Sequence, residues 1–230
     1  MRVDDLLELM AKGTVRSFRP DEVPDDRLQK VLEAARWAPS GANTQPWELV
    51  VIRAPELKQE IARIFVAAHR RARAVDPSFP YEGEERLLAR FTTSPVLIAV
   101  CADSRFERAY PRVGYRERIL YVSVAAAIQN MMLAARACGL ALSWGTVDRF
   151  CEGALGRLLG LPEHLRVLEV LQLGYPAEEA RPRFRRPASD FTHLERFDPR
   201  KLRGHEEIER LLRTRREPDI YSSPSGGQSP

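Results

Sequence analysis

The sequence predicts a layered sheet-and-helix fold built on one main core. Three observations carry that expectation: short β-branched apolar runs recur, stretches with helical spacing separate them, and no segment repeats. At 230 residues the chain is long enough to bury a sizeable core. Its 44% hydrophobic and 30% charged residues place it among ordinary globular proteins rather than disordered or fibrous ones.

A first helix is expected from Asp4 to Lys12, where Leu6, Leu7 and Met10 share a face, acids fill the first turn and Gly13 is a stop. The segment Thr14 to Pro24 is polar. Asp25 to Ala38 then brings Leu28, Val31, Leu32 and Ala35 onto one helical face. Pro39 to Pro46 is a loop by composition. Trp47 to Arg53 reads as a buried strand, because its apolar run is short and β-branched. Pro55 to Ala74 has helical spacing and opens on a proline in the favoured first turn. Val75 to Glu84, rich in Pro, Gly and acids, reads as an excursion, and no strong pattern returns before Arg90. Val96 to Cys101 is a second strand.

Tyr115 to Cys138 is the longest helix expected, apolar on several faces, as suits a central or interface helix. Leu140 to Thr146 returns as a strand, Phe150 to Leu159 as a short helix, and Val167 to Leu173 as a further buried strand. Residues 1–195 are expected to form one domain. Residues 196–230 form an extension with a helix at Gly204 to Arg215 and a Ser/Gly/Pro-rich tail of disordered composition.

Composition also excludes some functions. Cys101, Cys138 and Cys151 are too few and too scattered for a disulfide framework or zinc spacing, and His69, His164, His193 and His205 form no i, i+4 pair, so no metal is expected. The net charge of +4 comes with interspersed acids, and the basic run at His69 to Arg73 has no aromatic platform, so nucleic acid is not expected as a partner. No apolar run approaches the ~20 residues of a membrane span, and the acidic N-terminus lacks the form of a signal peptide. A cytoplasmic protein is expected.

Three polar islands stand at element ends, where sites are usually built. In Arg16-Ser17-Phe18-Arg19, two guanidinium groups flank a hydroxyl, a set that clamps a phosphate; short surface motifs of this kind are also common without function. In Pro39-Ser40-Gly41-Ala42-Asn43-Thr44-Gln45, two amides beside a glycine suit the imide edge and ribityl hydroxyls of a flavin. An Asx-type turn into the next strand is the plainer alternative. Arg181-Pro182-Arg183-Phe184-Arg185-Arg186-Pro187 is either a solvated linker or the rest of a phosphate site.

Taken in order, Arg16-Ser-x-Arg19, Ala38-Pro-Ser-Gly-Ala-Asn-Thr-Gln-Pro-Trp47, the stretch from Ser123 through Gln129 and Asn130, Gly139-Leu-Ala-Leu-Ser-Trp-Gly-Thr146, Leu173-Gly-Tyr-Pro176 and Arg185-Arg-Pro187 resemble the nitroreductase-like FMN-dependent oxidoreductase family. The likeness runs from Leu6 to about His193. It implies an α+β fold, with a mainly antiparallel central sheet between helix layers, and an intertwined homodimer with FMN at the interface. By that likeness Arg16, Ser17, Phe18 and Arg19, with Arg183 and Arg185, hold the phosphate and ribityl end. Pro39, Ser40, Gly41, Asn43 and Gln45 approach the ring from the partner subunit. Trp144, Gly145 and Thr146 pass along its N5 side, with Thr146 a possible N5 partner, and no side chain need act as acid or base. The implied reaction is ping-pong: NAD(P)H reduces the flavin and leaves, and a small planar acceptor, nitroaromatic or quinone-like, takes its place. Phe79 and Tyr81 are placed either to close over that acceptor as a lid or to anchor on their own subunit.

Two relatives by resemblance give alternatives. A dehalogenase similar to iodotyrosine deiodinase would need a Glu-x-x-x-Tyr motif and a downstream Lys in its lid. Phe65 to Arg90, the corresponding stretch, has neither. A flavin-fragmenting enzyme shares the core motifs. From another class, a non-catalytic FMN-binding module would show the same cofactor residues without turnover.

Overall fold

The computed structural model describes residues 2–79, 83–108, 112, 116–178 and 185–214. They fall into two compact units, Met1–Ala180 and Arg181–Pro230. The division lies earlier than the boundary after residue 195 that composition suggested. Within the second unit Lys201 donates to the carbonyls of Ser189 and Thr192 at 2.9 and 2.8 Å, tying the residues before 195 to those after it.

In the first unit the order is α1 (Val3–Ala11), α2 (Asp25–Arg36), β1 (Trp47–Ile52), α3 (Pro55–Val75), α4 (Glu84–Thr92), β2 (Val96–Asp103), α5 (Arg116–Ala137), β3 (Ala141–Thr146), α6 (Glu152–Leu158) and β4 (Leu165–Gly174). The second unit contributes α7 (His205–Thr214). The four strands form one sheet in the order β1-β2-β4-β3, every neighbouring pair antiparallel.

β2 is buried along its whole length because both sheet faces are covered. Val96, Ile98, Val100 and Ala102 enter the core under α2 and α5. Leu97, Ala99 and Cys101 enter a second core under α3, α4 and α6. That division follows from the alternation of side chains along a strand. It also explains why the strand reads as a continuous apolar run. β1, expected to be buried, is instead an edge strand with a half-exposed pattern.

α5 buries Leu120, Val124, Ala127, Ile128, Met131 and Ala135 against α2 and the sheet. Each such burial of a large apolar side chain contributes about 1.5–3 kcal/mol. Asn130 donates to the carbonyl of Ala34 at 3.2 Å and fixes α5 on α2. By length and composition Glu117–Ala137 would suffice to cross a membrane, yet this face packs as a core helix. Tyr121 and Val122 remain exposed on α5.

The stretch before Arg90, patternless in the sequence, contains α4. Its nine residues bury only Leu87 and Phe91, too few to print a helical period. Phe91 stacks on Phe65 of α3 at 4.3 Å, so Phe65 is a core residue and not part of a lid. Phe79 stands edge-on to His69 of α3 at 5.1 Å. Tyr81 lies outside the described residues.

Candidate functional site

The Arg16–Arg19 segment is stitched to the chain just after β4. Phe18 pairs with Pro176 in an antiparallel bridge. The Arg19 amide donates to the Tyr175 carbonyl at 2.9 Å, and the Ala177 amide to the Ser17 carbonyl at 3.0 Å. The Phe18 side chain is buried with Val15 and Ala141, so it anchors the segment while its neighbours face outward. A β-carbon on Gly174 would lie 2.7 Å from the Pro95 ring and 3.2 Å from Phe18, so only glycine admits this packing.

Arg16, Ser17 and Arg19 are exposed. The Arg19 guanidinium reaches Asp21 at 3.3 Å and lies over the Tyr175 ring at 5.0 Å. The Ser17 hydroxyl donates to Glu178 Oε1 at 3.0 Å. Beside them, Lys12, Arg136, Gly139, Ala141, Pro176 and Glu178 line a cavity of about 200 Å³.

The Pro39–Gln45 loop is mounted on α5 and strained. Ala42, Asn43 and Gln45 take positive φ of 52°, 53° and 46°, a conformation that costs a non-glycine residue about 1–2 kcal/mol. Compensating bonds hold it: the Gly41 amide donates to Ser123 Oγ at 3.2 Å and the Gln45 amide to Ser40 Oγ at 3.0 Å. Gln45 Nε2 donates to Asn43 Oδ1 at 3.3 Å, pairing the two amides on the surface. A β-carbon on Gly41 would come within 2.9 Å of the Ile119 side chain, so the loop lies closely against the helix and any larger residue there requires Ile119 to shift. Strain kept in an exposed loop is the kind of feature that accompanies ligand contact.

The third cluster is the far end of β3. Trp144 donates from Nε1 to Met132 Sδ at 3.0 Å, and its carbonyl accepts from Arg90 Nη2 at 2.6 Å. A β-carbon on Gly145 would collide with the Val170 carbonyl at 2.6 Å and Gln172 Nε2 at 2.7 Å. Thr146 is exposed, in direct register with Glu169 of β4. Burial pushes the Glu169 carboxyl up to about 7, and the neighbouring Thr146 side chain offsets part of that rise. The buried Oε2 of Glu169 has no partner among the described residues. A cavity of about 460 Å³ opens here, walled by Tyr121, Val124, Ile128, Trp144, Arg166 and Glu169. That size falls within the ~300–1,000 Å³ of small-molecule sites.

The structure therefore places Arg16–Arg19 beside Ala141, the first residue of the edge strand β3, and Thr146 at its other end. The separation along the strand is about 17 Å. The Pro39–Gln45 loop sits on α5. Arg185 is exposed and belongs to the second unit; Arg183 lies outside the described residues. Sequence reasoning missed Glu178, Arg90 and Glu169. A lone carboxylate inside the apolar run of β4 was the available signal for Glu169.

A family model described as the nitroreductase family matches residues 9–175. The chain belongs to the nitroreductase family. Within it, the chain is 32% identical over 181 residues to a protein of Methanothermobacter thermautotrophicus named putative NADH dehydrogenase/NAD(P)H nitroreductase, covering 77% of this chain and 80% of that one. It is 29% identical over 200 residues to mouse iodotyrosine deiodinase 1, covering 83% of this chain and 69% of the deiodinase. The fold is shared with the NADPH:FMN oxidoreductase of Vibrio harveyi, at TM-score 0.69 and 22% identity over 90% of this chain and 82% of that one. Placed on this nitroreductase-family fold, the three polar clusters lie at the two ends of β3 and on α5.

Proposed function

We propose that this nitroreductase-family chain is an FMN-dependent oxidoreductase, passing reducing equivalents from NAD(P)H to a small planar acceptor, as a cytoplasmic homodimer. The observation that supports it best is the Arg16–Arg19 segment held at one end of an edge strand whose other end presents Thr146. That span suits a phosphate, a ribityl chain and a tricyclic ring laid in sequence. The donor set fits FMN: exposed guanidinium groups for a dianion at one end, and at the other a polar edge with the unpartnered Glu169 Oε2 beside Thr146. When bound, the flavin supplies the two-electron relay between nicotinamide and acceptor.

The chain's own residues bind and orient. Arg16 and Arg19 neutralise the phosphate, and Ser17 adds a hydroxyl donor. Pro39, Ser40, Gly41, Asn43 and Gln45 of a second copy cover the ring, and the strain in their loop is maintained by Ser123 and Ser40. Trp144, clamped by Arg90 and Met132, and the close-packed Gly145 make β3 a rigid wall that sets Thr146 beside the ring. The exposed Tyr121 and Val122 of α5 provide apolar surface for the second copy. Acceptor choice is where this reading and a dehalogenating one separate, and the stretch from Phe65 to Arg90 carries no Lys to grip an amino-acid carboxylate.

Titrating flavin-free protein with FMN and with riboflavin tests the assignment. The expected result is one FMN per chain, with riboflavin at least ~10-fold weaker because the Arg contacts are lost. Equal affinities would remove the Arg16–Arg19 segment from the site.

A further inference from the structure

Glu169 is the one acid of β4, set where the strand is otherwise apolar, at the wall of the larger cavity. Its register partner on the edge strand is Thr146. Charged and titratable groups approach this cavity from every element packed around it: Tyr121 from α5, Asp148 and Arg149 after β3, Glu152 from α6 and Arg166 from β4. Each charged one is engaged elsewhere. Arg166 reaches Glu152 at 2.8 Å and Glu117 at 3.3 Å. Arg149 lies over the Phe150 ring at 4.8 Å, and Asp148 accepts from the Phe150 amide at 2.8 Å. Glu169 is left with burial and with Thr146 as the determinants of its charge. A carboxyl whose Oε2 is sealed from solvent with no cation beside it resists ionisation, and this one is pushed up to about 7.

We propose that Glu169 is a positioning residue that sets the hydrogen-bond polarity of Thr146 toward the ligand edge of β3. The inference rests on the reading that places Thr146 beside a flavin ring. When protonated, Glu169 donates to the Thr146 oxygen, and the threonine hydroxyl is free to donate outward. When ionised, Glu169 accepts only, so the threonine hydroxyl donates its hydrogen bond inward to the carboxylate and turns an oxygen lone pair outward as an acceptor. One carboxyl thereby makes Thr146 a donor in acid and an acceptor in alkali. The nearest ligand atoms receive that difference without contact from Glu169 itself.

Two measurements test this, one of them without cofactor. A folded-state value raised from the ordinary 4.5 to about 7 means that the folded chain keeps a proton the unfolded chain has lost. The stability from that proton is complete below about 4.5 and is lost as pH climbs through about 7. Denaturation of the flavin-free chain and of Glu169→Gln is therefore expected to diverge over that interval, with the variant increasingly the more stable. A pH-independent difference overturns the proposal. In the second measurement the visible spectrum of the oxidised, FMN-loaded protein is followed between about pH 5 and 9. A single transition near 7 is expected, abolished by Glu169→Gln and by Thr146→Val and retained by Thr146→Ser. A transition that survives either abolishing variant, or is missing from the unmodified protein, overturns the coupling to Thr146. Failure of the cofactor reading is separable: the protein then takes up no FMN, while the cofactor-free arm still reports whether Glu169 titrates.

Discussion

The Ser17 hydroxyl donates to Glu178 Oε1 at 3.0 Å, so a carboxylate occupies the hydrogen bond that an incoming phosphate needs. Glu178 is exposed and free to swing away, but its charge opposes a dianion at short range. Glu178→Gln is expected to tighten FMN binding by roughly 3- to 10-fold at low salt, with the gain shrinking as salt rises. Weaker binding in the variant would show that Glu178 supports the site instead of competing for it.

Arg16 and Arg19 face outward from a segment fixed by Phe18, so truncating them should not disturb the core. Charge-assisted bonds to a phosphate are worth about 1.5–3 kcal/mol each. Arg19→Ala is therefore expected to weaken FMN binding by roughly one to two orders of magnitude with an unchanged melting temperature, and Arg16→Ala likewise. Unaltered affinity in both would refute the phosphate assignment.

Gly145→Ala drives a methyl group against the Val170 carbonyl at 2.6 Å, and backbone does not yield as a flexible side chain does. The expected loss is about 2–3 kcal/mol of stability, visible as a lowered denaturation midpoint. Gly41→Ala meets the Ile119 side chain at 2.9 Å, which can adjust, so its effect on the midpoint should be smaller. Equal midpoint shifts would contradict the distinction.

Val122 is 64% exposed on an apolar helix, as expected of a surface covered by a second copy. Val122→Arg places a charge there and is expected to convert a dimer to a monomer that no longer retains FMN, read by sedimentation with flavin absorbance. A loaded monomer at nanomolar concentration, in the variant or the unmodified chain, would rule out an interface site.

Much of this fold was legible in the sequence because β2 and β4 are buried on both faces and print continuous apolar runs. β1 prints a similar run, and nothing local distinguishes an edge strand from a central one; the difference lies in the sheet order. α4 was not legible because two buried residues, Leu87 and Phe91, specify it through contacts with α3 that sequence spacing does not show. Of the site, Arg16–Arg19 and Pro39–Gln45 were visible as polar islands at element ends. Their roles in the chain were less so: Phe18 proves to be an anchor, and the need for Gly145 comes from the neighbouring strand β4. Glu169 was passed over as part of an apolar strand, since its burial and its pairing with Thr146 exist only once the register is set.

Electron transfer from a nicotinamide through a flavin held by this chain is the step on which the proposed function depends. Purified protein loaded with FMN should be mixed anaerobically with NADH and, separately, NADPH while its visible absorption is followed. Rapid and complete bleaching by at least one of them, with colour restored by a nitroaromatic or a quinone, is the predicted result. A protein that stays yellow with both nicotinamides, or that takes up no FMN at all, would contradict it.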